Sequence, residues 1–515
     1  MNTTRSPWWT LGAMCFALFM IMLDNTIVNV ALPSIQRALH TTPATLQWTI
    51  DAYVLTFAVL ILLGGKLGDR FGRKRMFLVG LTIFTLASAA CAQATTDTEL
   101  VAFRAIQGAG AALLNPLSLS IIVAAFPRRQ LPTAIGIWAG ISGLGLSAGP
   151  LIGGFLVERV DWSAVFWVNV PIGLIAAAVT LWAVSESRDE QRRHLDVTGT
   201  ALVTGGLFAL VYGLIGTNSH AWTSPQTLGL LVAAAALLAL FLEWERRNRE
   251  PMVPLSFFLR RAFATSTVVI VLVGFAFIGV LFLLVLYFQN VKGYSPLEAG
   301  VRTLPLTLIQ AAVAINAGRL NKWLGPRIQM TTGMLLLAAG LLGLAQLEVA
   351  TPYDRIWPFQ VLLGIGMGLA MPAVSANAMA AVDGNQAGIA SGVINAGRQV
   401  GGALGIAVLG TLAAMLTRSD WQHQLALLSR ADQAKAANLT SLVVGGQGKA
   451  VAALAGRPAE LAGLESFVYG LRYALLTSSI LALGAAAVAF AGLRHSRSSL
   501  NELDIPDAAP TARVV

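Results

Sequence analysis

Charge is what this chain has least of. Only 12% of its 515 residues are Asp, Glu, Lys or Arg, about half the share in an average soluble protein, which excludes a soluble fold with a conventional polar surface. Cysteine is nearly absent, and Cys15 and Cys91 both fall inside apolar runs, so no disulfide framework is implied. The five histidines, His40, His194, His220, His423 and His495, lie in loops or at the edges of apolar runs. That argues against a haem or a buried metal centre, and no cofactor is expected. Gly445-Gly-Gln-Gly-Lys449 imitates a phosphate loop, but it lacks the upstream glycine at the required spacing, and Ala450 stands where Ser or Thr is needed. ATP-driven pumping is unsupported, and no nucleophile–base pair suggests an enzyme.

What the chain has instead is apolar length: 56% of it is hydrophobic. Fourteen stretches approach the roughly 20 apolar residues that a helix needs to cross a bilayer. They lie near 10–32, 46–64, 76–94, 99–124, 132–157, 164–184, 197–216, 226–243, 264–288, 299–320, 329–347, 355–382, 387–414 and 467–493. The expected fold is an all-α polytopic membrane protein. The net charge of +10 invites a nucleic-acid reading, but the basic residues collect in alternate loops: Lys66–Arg75, Arg128–Arg129, Arg188–Arg193, Arg246–Arg261, Arg319–Arg327 and Arg494–Arg497. With the short N-terminus these hold about 21 of the 35 Lys and Arg. The bias names a lipid bilayer rather than nucleic acid as the partner and places both termini in the cytoplasm. Arg5 precedes the first apolar run as in a signal peptide, but no small-residue cleavage site follows and Asp24 interrupts it, so an uncleaved first helix is expected.

The chain also repeats itself. Gly65-Lys-Leu-Gly-Asp-Arg-Phe-Gly-Arg-Lys-Arg75 returns in worn form as Gly318-Arg-Leu-Asn-Lys-Trp-Leu-Gly-Pro-Arg327, an offset of about 253. Gly108-x-Gly110-x-x-Leu113-x-x-Pro116 returns as Gly364-x-Gly366-x-x-Leu369-x-x-Pro372, offset about 256. Gly136, Gly140, Gly145, Gly149 and Gly153 return as Gly388, Gly392, Gly397, Gly401 and Gly405, offset about 252. Matching spans share one orientation, so the repeats are parallel and related by an axis along the membrane normal. Two six-helix bundles are expected, at 1–190 and 261–495. Residues 191–260 carry two inserted helices, 416–466 form a long outer loop, and 496–515 a cytoplasmic tail. Two such bundles face each other across a central cavity near midplane.

Ionisable groups within spans each cost roughly 2.5–3.5 kcal/mol at the bilayer centre, so they are the candidates for function. Asp24 and Asp51, in spans 1 and 2, are read as proton-coupling acids or as partners of a cationic substrate, against a structural hydrogen-bonding role. Burial raises a carboxyl pKa and brings proton exchange into the physiological range. Arg104 in span 4 stays charged and carries no proton itself, but it can lower a neighbouring acid's pKa. Arg398 in span 13 is read as meeting an anionic substrate or, more plainly, as pairing with an acid or with carbonyls. In the basic loop that begins at Gly65, Gly68 and Gly72 allow a tight turn. Asp69, with Arg70 and Arg73 beside it, can accept from the N-terminus of a neighbouring helix and from Arg73. This is a latch that favours one access state, and Lys322 replaces the acid in the second copy. In span 5, Gly145, Gly149, Pro150, Gly153 and Gly154 give a flat packing face with a bend. Asn25, Asn29, Tyr53, Trp138, Tyr287, Asn395 and Arg398 are candidates for lining the cavity.

These residues resemble the major facilitator superfamily and, within it, the fourteen-span drug:proton antiporters. The resemblance rests on Leu23-Asp-Asn-Thr-Ile-Val-Asn-Val-Ala-Leu-Pro-Ser34, on Gly65–Arg75 (similar to motif A) and on Arg104-Ala-Ile-Gln-Gly-Ala-Gly110 (motif B). It rests also on Gly145-Leu-Ser-Ala-Gly-Pro-Leu-Ile-Gly-Gly154 (motif C), Asn169-Val-Pro-Ile-Gly173, Gly293-Tyr-Ser-Pro-Leu-Glu-Ala-Gly300 and the segment Ser391 to Gly405. Asp161-Trp-Ser-Ala departs from the Trp-Arg-Trp-like run of relatives. The resemblance implies roles for the acids of spans 1 and 2 in coupling and cation recognition, for Arg104 in proton transfer, and for span 5 in limiting proton leakage. The expectation is a monomeric inner-membrane transporter that exports hydrophobic or cationic small molecules against entering protons. The alternative is a dedicated exporter of one antibiotic or metabolite.

Overall fold

A computed structural model of the chain describes residues 6–39, 41, 43–127, 129–187, 196–216, 222–248, 251, 253–383 and 386–493, and among them there is no strand. The expected tail at 496–515 and the basic run 188–193 lie outside the described residues. The helices are α1 (Pro7–Leu39), α2 (Pro43–Phe71), α3 (Arg73–Ala92), α4 (Asp97–Ala125), α5 (Leu131–Arg159), a single turn α6 (Ala164–Trp167) continuing into α7 (Asn169–Ala183), α8 (Val197–Gly216) and α9 (Pro225–Arg247). After a short α10 (Ser256–Leu259) come α11 (Arg261–Leu286), α12 (Pro296–Leu344), α13 (Trp357–Ala380) and α14 (Ala387–Leu427). Three short helices, α15 (Arg430–Ala436), α16 (Thr440–Val444) and α17 (Gly448–Ala455), precede α18 (Arg457–Gly492).

Thirteen of the described helical stretches are long and apolar enough to cross a membrane. The fourteenth stretch, near 299–320, is the first arm of α12. Its Thr303, Thr307, Gln310 and Asn316 dilute the apolar character, yet it is helical throughout. The basic segment after it stays helical as well, and the chain turns only at Gly325, whose φ of 71° suits glycine. Pro326 then starts the second arm.

The packing repeats as the sequence does. α1 packs on α5, α2 on α4 and α1 on α7; about 250 residues later α11 packs on α14, α12 on α13 and α11 on α18. Two seams join the first six spans to the last six: α2 against α14, and α5 against α12. The inserted pair packs on itself and leans α8 on α2 and α14. It is held by Trp48 against Tyr212 at 5.8 Å and by a hydrogen bond of 2.7 Å from Trp222 Nε1 to Thr411 Oγ1. The region expected as a long loop is largely helical. At about 1.5 Å per residue, the 41 residues of α14 reach about 60 Å, roughly twice the hydrocarbon thickness. Beyond that core α14 and α18 frame a small cap, in which Trp421, Val443, Val451, Ala455 and Ala459 are buried together.

Candidate substrate cavity and coupling site

One fully buried carboxylate in the first six spans draws its partners from two other helices. Asp24, on α1, is fully buried and Arg104, on α4, is 1% exposed. Arg104 Nη1 lies 2.6 Å from Asp24 Oδ2 and 2.7 Å from Gln107 Oε1. Gln107 Nε2 and Asn169 Nδ2 donate to Asp24 Oδ1 at 2.9 and 3.0 Å. Arg104 Nε donates to Thr49 O at 3.0 Å, and the guanidinium stands 4.2 Å above the Tyr53 ring. Asn169 is steadied by Ser88 Oγ, which donates in turn to Phe166 O. An arginine and a carboxylate removed from water hold together only when such donors also satisfy the remaining lone pairs. Here Asp24 has three, drawn from α4 and α7.

Beside this cluster lies a cavity of about 290 Å³ between the two groups of six spans. Its walls are mainly apolar: Met22 of α1, Phe57 of α2, Trp138 of α5, Phe277 of α11 and Met367 and Met371 of α13, with Val211 of the inserted α8. Polar positions are few, among them Asn25, Thr26, Gln310, Asn395, Arg398 and Gln399. Asp24 does not reach this surface, but its chain neighbours Asn25 and Thr26 do. One helix therefore presents the paired carboxylate to α4 and α7 and a wall to the cavity.

The proline inside α5 is tied to that same helix. Pro150 has no amide to donate to Leu146 O, four residues back. Thr26 Oγ1 lies 3.0 Å from that freed carbonyl. The hydroxyl reaches it through the space that a Cβ on Gly149 would fill. Gly145 and Gly153 likewise let α5 approach Met22 and Ile27 of α1, while Gly154 faces Leu297 at ordinary contact distance. A polar side chain that re-satisfies a proline-freed carbonyl is how such breaks are tolerated in apolar surroundings.

At the end of the bundle that carries the basic loop, Asp69 closes the α2–α14 seam. It is 5% exposed. It accepts from Arg73 Nε and Nη2 at 2.9 and 2.7 Å, and from the backbone amides of Gly388 and Ile389 at 3.1 and 2.9 Å. Those amides belong to the first turn of α14, where N–H groups lack helical partners and the helix dipole favours an anion. A Cβ on Gly388 would strike the carboxylate, and one on Gly65 would strike Gly388 O. Gly72 turns the chain with φ 108°. Glu186 then caps α3 by accepting from the amides of Lys74 and Arg75 at 3.0 and 3.2 Å. Gly68 makes room for Leu117, and Arg70 lies over the Phe71 ring.

Of the residues expected to line the cavity, Asn25, Trp138, Asn395 and Arg398 do so; Asn29, Tyr53 and Tyr287 do not. Asn29 is exposed one turn further along α1 on the face of Asn25, donating to Asn25 O. Tyr53 is turned inward beneath Arg104. Tyr287, in a π-helical turn after α11, donates to Glu348 O at 2.9 Å. In each case a backbone carbonyl or a cation claims the side chain before the cavity can. Asp51 is buried, 8% exposed. It is not among the described residues that line the cavity. Gln107, Asn169 and Thr26 stand in the quoted motifs, but no site role for them or for Ser88 was legible in the sequence. Amides and hydroxyls are common in spans, and the signal that marks these ones, an acid and an arginine needing partners, is read only across helices. Asp161 accepts from the amides of Ser163 and Ala164. The Ser163 hydroxyl, with those two amides, holds its carboxyl below the usual range, and the amides cap the turn into α6.

Comparison with known proteins gives the lineage. Residues 14–406 match the family model described as Major Facilitator Superfamily. The chain is 38% identical over 98% of its length to the "Tetracenomycin C resistance and export protein" of Streptomyces glaucescens, covering 95% of that protein. It is 39% identical over 81% of its length to the "Multidrug resistance protein Stp" of Mycobacterium tuberculosis (strain CDC 1551 / Oshkosh), covering 78% of it. Among solved structures, the human organic anion transporter MFSD10 superposes with a TM-score of 0.61 over 94% of this chain and 99% of that one. At 14% identity that likeness speaks for the fold alone.

Proposed function

The chain belongs to the Major Facilitator Superfamily, and on that premise we propose that it exports hydrophobic small molecules across the cytoplasmic membrane in exchange for entering protons. It is a multi-pass membrane transporter and not an enzyme. Relatives named for resistance and export support efflux as the direction. The alternating basic loops support an orientation with both termini in the cytoplasm.

One observation carries the coupling: the Asp24 carboxylate is buried in a neutral pair with Arg104 on the helix whose next two residues form the cavity wall. A proton arriving at Asp24 replaces Arg104 as the partner of its charge. The attraction between α1 and α4 weakens, and α1 is free to tilt against α5, to which Thr26 binds it. Magnitudes make the exchange workable. A proton crossing about 100 mV and one pH unit delivers about 4 kcal/mol, and breaking a buried pair costs about 3–5 kcal/mol. One proton per cycle is of the right size to separate one pair. Asp69, bound to α14, would then release and re-form as the basic end opens and closes. Arg104 acts as the electrostatic modulator, and Asp51 is kept as a second acid on α2.

The test is dye efflux in everted vesicles with internal pH recorded. Substrate should drive protons the opposite way in the wild type and not in Asp24→Asn. Protons moving with the substrate would overturn exchange. Resistance to a single compound in a drug panel, with the chain expressed in a pump-deficient host, would favour a dedicated exporter over a broad one.

A further inference from the structure

We infer that the central cavity selects hydrophobic molecules bearing an acidic group, a carboxylate or a phenolate, with Arg398 as the counter-ion. This rests on the export reading and names its substrate class. Arg398 sits mid-way along the membrane part of α14 and lies on the cavity wall. Among the described residues its guanidinium has no hydrogen bond, ion pair or aromatic ring as partner, whereas the two arginines that are almost fully buried both have one. Arg73 holds Asp69 and Arg104 holds Asp24. No Asp or Glu is found among the described residues lining the cavity. The nearby acid, Asp24, is already neutralised by Arg104 and faces away.

A single uncompensated cation in apolar walls therefore sets the sign of the field there. It disfavours a cationic guest and is left for a guest to satisfy. Arginine suits this role because its planar fork matches a carboxylate and its charge does not titrate away. Trp138 gives its indole N–H to Ser118 Oγ at 3.0 Å. The ring face is thus left to an apolar or aromatic body, and the methionines supply adaptable contact. A cation recognised by Asp24 finds no such opening in this conformation.

The test compares fluorescein with rhodamine 6G, dyes that share one ring system and differ in charge, for binding to the purified full chain and for proton-driven movement in vesicles. Wild type should bind fluorescein about tenfold or more tightly than rhodamine 6G, the effect of one charge contact at partial desolvation. Arg398→Met should erase that ratio while still binding rhodamine 6G, and Arg398→Lys should keep part of it. Should Arg398→Met fail to fold, Asn395→Asp, which places a carboxylate three residues before Arg398 on the same helix, should erase the preference with the arginine in place. A wild-type preference for rhodamine 6G, an unchanged ratio in Arg398→Met or Asn395→Asp, or binding of neither dye would overturn the inference. Binding is read without a gradient and movement with one. Gradient-driven export of rhodamine 6G without acid preference would leave the export reading standing and defeat this one, and a clear binding preference without gradient-driven movement would do the reverse.

Discussion

Where α2 meets α14, a carboxylate holds two backbone amides and an arginine; where α12 meets α5, the seam related to it by the repeat, backbones lie against one another with glycine between. Gly318 meets Thr133, Gly136 meets Ala314 O, Gly140 lies near Ala311 O, and Gly300 accommodates Pro150, so this seam is continuous over about 25 Å of helix. On the other seam the glycine contacts are Gly65, Gly388 and Gly392 at one end. Further along, α2 and α14 part around the cavity, with Phe57 and Arg398 on opposite walls. The α5–α12 seam lacks the latch acid and the free helix-end amides. Lys322 stands where Asp69 stands, and Gly136 and Ile137, counterparts of Gly388 and Ile389, lie past the first turn of α5, where their amides are already used. The contrast teaches a division of labour. The long, uncharged seam suits a pivot, and the short, charged one suits a catch.

The ion pair is one-sided in the same way. In step with the repeat, Gln360 takes the place of Arg104. It is fully buried, and among the described residues neither its amide nitrogen nor its oxygen has a hydrogen-bond partner. The largest effect is expected from forcing the first half to match the second. Arg104→Gln leaves Asp24 buried without its cation and should lower stability by about 3–5 kcal/mol. It should also lower proton-driven transport by about 100-fold or more, read by thermal melting and vesicle flux together. A variant that melts like the wild type would break the comparison.

Next in size is the latch. Asp69→Asn removes the charge from two amide bonds and an arginine pair, where each charge-assisted bond is worth about 1.5–3 kcal/mol. A cysteine introduced at Ser375 on the cavity wall should then react about tenfold or more faster with a membrane-impermeant thiol reagent applied from the basic side. Lys322→Asp should not slow that rate, because no free helix-end amides await it on α5. Equal effects at the two positions would show that the seams are equivalent.

Thr26→Val tests the contact beside Pro150. The change leaves Leu146 O without a partner at a cost of about 1–3 kcal/mol, and Thr26→Ser should restore it. The matching position to Pro150 on α14 is Gly402, which keeps its amide, so that helix needs no such hydroxyl. The smallest effect belongs to Gln360→Leu. Exchanging an unpartnered buried amide for an apolar group of similar size should leave the melting temperature unchanged or raise it slightly. A marked loss of transport there would mean that the second half carries coupling too.

The architecture was legible in the sequence because hydrophobic length and glycine spacing are local and repeat along the chain. Asp69 was legible with its chemistry because Arg73 is one turn away and glycines frame the loop. Asp24 and Arg104 were legible only singly, as charges where none is expected. Their pairing spans 80 residues and is decided by how α1 lies on α4. Thr26 was hidden altogether: nothing local to it says that a proline on another helix has freed a carbonyl beside it. Tyr53 and Tyr287 are drawn off the cavity for the same reason, since what a polar side chain pairs with depends on its neighbours, whereas Asn29 shares the face of Asn25 and is absent from the cavity wall.

The central claim is that the Asp24 carboxylate carries the coupled proton, and proteoliposomes holding Asp24→Asn test it most directly. With dye on both sides and no gradient, the variant should exchange dye at close to the wild-type rate. Under an imposed pH gradient it should neither accumulate dye nor move protons when dye is added. Dye-dependent proton flux in Asp24→Asn at the wild-type ratio would contradict the account.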